Sequence, residues 1–387
     1  MDTINTSYIL HHMHEDELPL NAVSPPVFQT SIFCFPNCKA LGEAMQDDAC
    51  HSFYSRGNNP TVNLAEEKIA ALEGGERAKI VSSGMAAISH AVMAFVKAGD
   101  HVVCVEDCYG WTKTLLVSYL ARFNVKVSFV EGTDTGEVIA ALRPETRVLY
   151  LESPTSFTFK LQDLPAIAAE ARKRNIKTIM DNTWATPIFC NPIKFGIDLV
   201  VHSASKYMSG ASDIIAGAVI GSKDDIELIY RQEYLQLGPV PDPLMAWLML
   251  RGLRTLHVRM KAHHEGALAV ASFLEGHPGV ERVFYPMLPS YTQITLARRL
   301  FSGASGLFSF KLRTKKPEEA IRFADTLRLF KRAVSWGGYE SLVIPNAICY
   351  PNAADIPPDR VGLVRIHIGL ERPEDLIADL EKALAAI

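Results

Sequence analysis

The chain has 387 residues and a mass of 42.7 kDa, room for two to three domains at about 150 residues each. With 48% hydrophobic and 21% charged residues it can fill large cores and lacks the profile of a disordered chain. A net charge of −4 without a basic run leaves no electrostatic footprint for nucleic acid or an anionic membrane, and apolar stretches such as Leu244 to Leu250 fall far short of the roughly 18 residues a span needs.

In chain order, residues 1–52 combine a polar head, MDTINTSYILHHMHEDE, with Pro25-Pro26 and Pro36, and are expected to form an extended arm. That head has no basic start followed by an apolar run, so a cytoplasmic protein is expected. NLAEEKIAALEGG, from Asn63, has helical spacing and a stop at Gly74-Gly75. Strand and helix then alternate: strand 78–81, helix 84–96, strand 101–105, helix 112–123, strand 126–130, helix 137–142, strand 147–151, helix 163–174, strand 177–180, strand 198–202. Such alternation predicts an α/β domain with a mostly parallel sheet covered by helices on both faces. Beyond about residue 240 the texture changes to a long helical stretch, 243–274, broken near Gly252, and then to shorter elements ending in LVRIHIGL and a final helix, an α+β domain.

Ligands on open α/β sheets bind at the carboxyl ends of strands. DLVVHSASKYMSG ends an apolar strand at His202 and brings Ser203, Ser205 and Lys206 to that edge, and TIMDNTWATP brings Asp181 to the same edge from another strand. Taken singly, a lysine that snorkels to water and an aspartate that caps a turn are the ordinary readings. Together, a lysine able to form a Schiff base and a carboxylate able to keep a pyridine nitrogen protonated are the two groups that pyridoxal phosphate (PLP) requires of its protein. VSSGMAAI places Ser82, Ser83 and Gly84 between a strand and a helix, where free N–H groups and the helix dipole suit a phosphate. In YSRGNNPT, Tyr54 to Thr61, Arg56 offers a guanidinium for bidentate phosphate contact, with a solvent loop as the bland reading.

With these segments in order, the chain resembles the Cys/Met-metabolism family of PLP-dependent enzymes, and within it the bacterial cystathionine β-lyases most closely. The likeness runs from about Tyr54 to the end, through YSRGNNPT, ESPTS, DNTWATP, SASKY, RGLRTLHVRM, GASGLFSF, AVSWGGYESL and RIHIGLE. It implies an aspartate aminotransferase-type large domain over 53–240, a smaller α+β domain over 241–387, an arm against the neighbouring subunit, and a homotetramer built from dimers. It implies that Lys206 carries PLP covalently and serves as the base, that Asp181 partners the pyridine nitrogen, and that Tyr109 stacks on the ring. Ser83, Gly84, Met85, Ser203 and Ser205 match the phosphate cup. Tyr54 and Arg56 match residues that reach the neighbouring subunit's cofactor, and Arg365, with Ser335 and Trp336 beside it, matches the clamp for the substrate carboxylate. A sulfur amino acid is the substrate so implied, with cystathionine giving a thiol, pyruvate and ammonia by β-elimination.

Details of the likeness pull both ways. Trp336 and Ser156 resemble the β-lyase branch, and Trp111 stands where methionine γ-lyases carry a cysteine, whereas YSRGNNPT is the γ-type pattern, which keeps γ-synthase, γ-lyase and sulfhydrylase activity open. Other clusters take bland readings. His11, His12 and His14 are read as solvated rather than metal-binding, and His263-His264-Glu265 lacks the spacing of a zinc protease. The seven cysteines are odd in number and dispersed, so reduced thiols are expected, with Cys34/Cys38 and Cys104/Cys108 as packed pairs. Neither a Walker A motif nor GxGxxG is present to support a nucleotide site.

Overall fold

The fold is described from a computed structural model, which covers residues 3–16, 18–46 and 51–387. Seven strands, β1 (Arg77–Val81), β2 (His101–Val105), β3 (Lys126–Val130), β4 (Thr146–Glu152), β5 (Lys177–Asp181), β6 (Leu199–His202) and β7 (Gly217–Gly221), form one sheet in the order β1-β7-β6-β5-β4-β2-β3. Pairing is parallel from β6 through β5, β4 and β2 to β3, and antiparallel where β7 joins β6 and β1. Successive side chains on a strand face opposite sides. Accordingly Val81, Val201 and Val219 enter one hydrophobic core while Ile80, Val200, Ala218 and Ile220 enter the other. Burial on both faces explains why these strands read as continuous apolar runs.

The second sheet holds β8 (Val280–Phe284), β9 (Leu307–Leu312), β10 (Lys331–Arg332), β11 (Leu342–Pro345) and β12 (Leu363–His367), ordered β10-β11-β12-β9-β8. Its helices include Leu256–Gly276, Pro317–Thr326 and Pro373–Leu384. Among the described residues, no helix is long and apolar enough to cross a membrane.

Several expected elements are corrected. The arm is partly helical, at Thr3–His11 and Cys38–Gln46. It is tied down by Lys68, whose ammonium, 1% exposed, reaches Glu15 at 2.9 Å and the carbonyl of Ile9 at 2.8 Å. Long-range anchors of this kind leave no local periodicity to read. The first core helix begins at Pro60 rather than Asn63, because Asn59 caps it by accepting from the Thr61 N–H and proline suits the first helical position. β7 was not foreseen: it is short, bounded by Gly217 and Gly221, and sits between two strands that it pairs antiparallel. The long helical stretch breaks at Thr255, between helices Pro243–Arg254 and Leu256–Gly276, not at Gly252. Gly252 serves close packing instead, since a Cβ there would lie 2.4 Å from the carbonyl oxygen of Ser209.

One buried pair links the first core helix to the strand ends. Glu73, the last residue of helix Pro60–Glu73, accepts from His202 Nε2 at 2.5 Å and from Asn182 Nδ2 at 2.8 Å, all three side chains being almost wholly buried. The carboxylate thereby fixes the residue after β5 against the last residue of β6, where the chemistry-bearing side chains emerge.

Candidate active site

Register aligns the carboxyl ends of three neighbouring strands, pairing Glu152 on β4 with Asp181 on β5, and Asp181 with Val201 on β6. Lys206 lies four residues beyond the end of β6, and Tyr109 four beyond β2. The sheet therefore brings Asp181, Lys206 and Tyr109 to one edge; the strand pattern predicts the first two there, and the family resemblance the third.

Asp181 is held by Thr183, whose backbone N–H donates to Oδ1 at 2.9 Å and whose hydroxyl donates to the same atom at 2.5 Å, leaving Oδ2 to accept from a ligand. Burial raises the pKa of the Asp181 carboxyl, and Thr183, His202 and Lys206 oppose that rise. Thr183 Oγ1 also accepts from the Ser203 N–H at 2.9 Å, so one hydroxyl sets the spacing between the acid and the loop that carries Lys206. Thr183 was missed in the sequence reading, although an Asp-x-Thr turn directly after a strand is the local signal for such a clasp.

Lys206 is half-buried, and its ammonium donates to Ser335 Oγ at 2.5 Å and lies 5.8 Å from the centroid of the Trp336 ring. Burial lowers its pKa, and the Arg365 cation lowers it further, against the pull of Asp181. Ser335 presents its hydroxyl from a left-handed turn, with φ of +79° followed by +90° at Gly337. A Cβ on Gly337 would meet the Lys206 Cα at 2.9 Å, so only glycine lets this loop rest on the lysine backbone. The Gly337 N–H donates to His367 Nε2 at 3.1 Å while His367 Nδ1 donates to the Glu340 carbonyl at 3.0 Å, which assigns the tautomer. β12 thus carries both Arg365 and the support for Ser335.

Glu152, also missed, accepts the Tyr109 N–H at 2.7 Å. Burial, with Asp181 beside it, raises its pKa well above the usual carboxylate range. Burial likewise raises the Tyr109 phenol, reinforced by Asp181 and Glu152. The Arg365 guanidinium has no carboxylate partner among the described residues; burial lowers its pKa, and its Cζ lies 4.8 Å from the Phe157 ring centroid. A half-buried guanidinium with no carboxylate at ion-pair distance can receive an anion.

At the opposite end of Lys206's loop, helix Gly84–Met93 points its N-terminus at Ser203. Ser83 Oγ accepts from the Ala86 N–H at 3.0 Å and caps the helix, and the Ser83 carbonyl takes the Ala87 N–H, leaving the amides of Gly84 and Met85 outside the cap. A Cβ on Gly84 would lie 2.8 Å from the Ser203 Cβ, so glycine brings those amides and the Ser203 hydroxyl into one cradle. Ser205 follows in the same loop. Its hydroxyl donates to the Ala216 carbonyl at 3.1 Å and accepts the Ala216 N–H at 2.9 Å, which commits its proton to the loop.

Tyr54 and Arg56 are exposed and stack on each other, the guanidinium 5.3 Å from the ring centroid. Their turn is fixed from beneath by buried Lys79, which donates to the Gly57 carbonyl at 3.0 Å and pairs with Glu66 at 3.1 Å. Trp111 is 62% exposed at the start of helix Gly110–Thr114. The remaining clusters lie outside this arrangement: His11 packs edge-on against His257, His14 faces Glu67, and the buried Cys104 and Cys108 thiols stand 3.6 Å apart as a packed pair.

The residues fit PLP: an amine of lowered pKa, a carboxylate with one oxygen left over, an aromatic ring, and an anion cradle at a helix N-terminus occupy one strand-end edge. Comparison with known proteins agrees. A family model described as Cys/Met metabolism PLP-dependent enzyme matches residues 5–385. An L-methionine gamma-lyase from Pseudomonas putida is 38% identical over 384 residues, 97% of this chain and 96% of that one. A putative cystathionine beta-lyase from Rhizobium johnstonii is also 38% identical, over 99% of this chain and 96% of its own. The crystal structure of a putative O-acetylhomoserine (thiol)-lyase from Campylobacter jejuni superposes with a TM-score of 0.91 at 30% identity, covering 98% of this chain and 100% of that chain, and bears an N'-pyridoxyl-lysine-5'-monophosphate.

Proposed function

Because the chain belongs to the Cys/Met metabolism PLP-dependent enzyme family, we propose that it is a carbon–sulfur lyase that eliminates a thiol from the β-carbon of a sulfur amino acid such as cystathionine, leaving pyruvate and ammonia. PLP, the cofactor, supplies an electron sink for the pair left when the Cα–H bond breaks. Lys206 would hold the cofactor through its amine, and its Nζ would take the α-proton; burial and the Arg365 cation lower its pKa, which favours the neutral amine that this task needs. Asp181, with Oδ2 left open, would accept from the ring nitrogen. The Gly84 and Met85 amides and the Ser203 hydroxyl would bind the phosphate. Arg365 binds the substrate carboxylate and so orients the Cα–H bond toward Lys206. Tyr109, a phenol that is protonated near neutrality, gives a proton to the departing sulfur.

The observation that carries the β assignment is the setting of Lys206. γ-Elimination requires a base that removes protons from two successive carbons, whereas β-elimination requires one proton from one carbon. An ammonium held by Ser335 Oγ and flanked 5.8 Å away by the Trp336 indole suits the second task. The γ reading is favoured by the likeness to the Pseudomonas putida γ-lyase and by the YSRGNNPT segment.

From the family resemblance we further propose that the Tyr54–Arg56 pair serves the cofactor phosphate of a second copy of the chain, a reading with which their exposure on a turn braced by Lys79 is compatible.

Incubation with cystathionine separates the readings. β-Elimination yields homocysteine and pyruvate, the expected result; γ-elimination yields cysteine and 2-oxobutyrate. Release of neither keto acid, with PLP bound, overturns the lyase reading.

A further inference from the structure

The loop 153–161 joins β4 to the following helix and carries Phe157 in a conformation that bulky residues rarely adopt, with φ of +60°. It is tied at several points. Asp107 accepts the Ser156 N–H through its carbonyl at 2.8 Å and the Thr158 hydroxyl through Oδ2 at 2.7 Å. The same carboxylate pairs with Arg360, on the segment that leads into β12. The result places the Arg365 Cζ over the Phe157 ring, 4.8 Å from its centroid.

Open space borders the ring on one side. A cavity of about 280 Å³ opens beside it, lined by Phe157, Ser156, Tyr350 and Arg360 among others, so the side chain has space to turn away. What favours its position is the attraction between the guanidinium and the aromatic face. Among the described residues the Arg365 guanidinium makes no hydrogen bond, so its N–H groups, the donors that grip a carboxylate in bidentate fashion, stay open beside the ring.

We propose that Phe157 is a positioning residue for Arg365: its ring restrains the guanidinium, which has no ion-pair partner among the described residues, so that its donors are already aligned when the α-carboxylate of an amino acid arrives. This rests on the assignment of Arg365 as the carboxylate clamp made above. The aromatic ring replaces conformational search by the arginine with a single orientation, which lowers the ordering cost of binding.

The test uses the PLP-loaded enzyme and two probes without a leaving group, L-alanine, which has a carboxylate, and L-alaninamide, which does not, with affinities read from the cofactor absorbance. Phe157→Leu removes the π-face at similar bulk. The expected result is a dissociation constant for alanine raised about ten-fold, little change for alaninamide, recovery in Phe157→Trp, and a rise in KM with kcat largely kept. Phe157→Gly, which suits the positive φ, secures a folded variant, with the melting temperature read in parallel. A loss of alanine affinity below three-fold in the variant that folds, or an equal loss for alaninamide, overturns the proposal. Arg365→Leu provides the separate control. If it leaves the preference for alanine over alaninamide intact, the clamp assignment itself falls; if it abolishes that preference while the Phe157 variants behave as wild type, only the role of Phe157 falls.

Discussion

Lys206→Ala is expected to lower kcat for thiol release by about 10³-fold or more, because one amine supplies both the covalent hold on the cofactor and the base for the α-proton. The structure puts this demand on a single side chain. Its ammonium meets Ser335 Oγ and the Trp336 ring, and its pKa is lowered first by burial and then by Arg365. A lysine of ordinary basicity is almost wholly protonated near neutrality and makes a poor base; burial beside a second cation moves it toward the working range. Kinetics on the purified, PLP-supplemented variant check the prediction, with thermal unfolding as a control for integrity. Retention of a tenth of the wild-type rate by a folded variant would show that another group removes the proton.

Asp181→Asn is expected to give the second large effect, a loss of roughly 10²- to 10⁴-fold in kcat, the scale of a proton-transfer contribution, with the fold intact. The amide has nearly the shape of the carboxylate and its oxygen can still accept from Thr183, as Asp181 Oδ1 does. What it lacks is the negative charge opposite the pyridine nitrogen, and without that charge the ring is a weaker sink for electrons. Direction of charge, not shape, is therefore the variable tested. Asp181→Glu, which restores the charge at a displaced position, should recover part of the loss. Steady-state rates, together with a titration of PLP into each variant, separate weakened chemistry from weakened cofactor binding. Equal rates for wild type and Asp181→Asn at saturating cofactor would remove the carboxylate from the mechanism.

The parts of this site that can be read from sequence are those that depend on strand ends. Asp181 and Lys206 each follow an apolar run, and in a mostly parallel sheet the ends of such runs share one edge, so their meeting follows from topology alone. Ser83 and Gly84 are legible for the same reason, as a strand-to-helix turn. Arg365 and Ser335 are not, because nothing local indicates that β12 and the turn at Gly337 from the second domain face the lysine; the family resemblance supplied them. The supports beneath the site were the least visible. Glu73 reaches His202 from 129 residues away, and Phe157 reaches Arg365 across domains, pairings that no periodicity encodes. Thr183 was within reach, since a threonine two residues after a strand-end aspartate has few partners other than that carboxylate.

The elements that departed from expectation have a common physical reason. β7 sits inside the sheet although its sequence is short and bounded by glycines, because strands on either side complete its hydrogen bonds. Helix Thr3–His11 and the turn at Tyr54 are held by the buried ammonium groups of Lys68 and Lys79, whose partners lie on distant segments. Gly252 reads as a helix breaker and is a packing site, its missing Cβ making room for the backbone of the loop after Lys206. In each case tertiary contact overrides the local signal.

The account stands on the assignment of the cofactor to one amine. Reduction of the freshly purified, yellow enzyme with borohydride, followed by proteolysis and mass spectrometry of the peptides, locates that amine directly. The expected result is a single pyridoxyl-bearing peptide spanning SASKYMSG, with the modification on Lys206. Labelling of any other lysine, or an unmodified Lys206 in an enzyme that holds PLP, would contradict it.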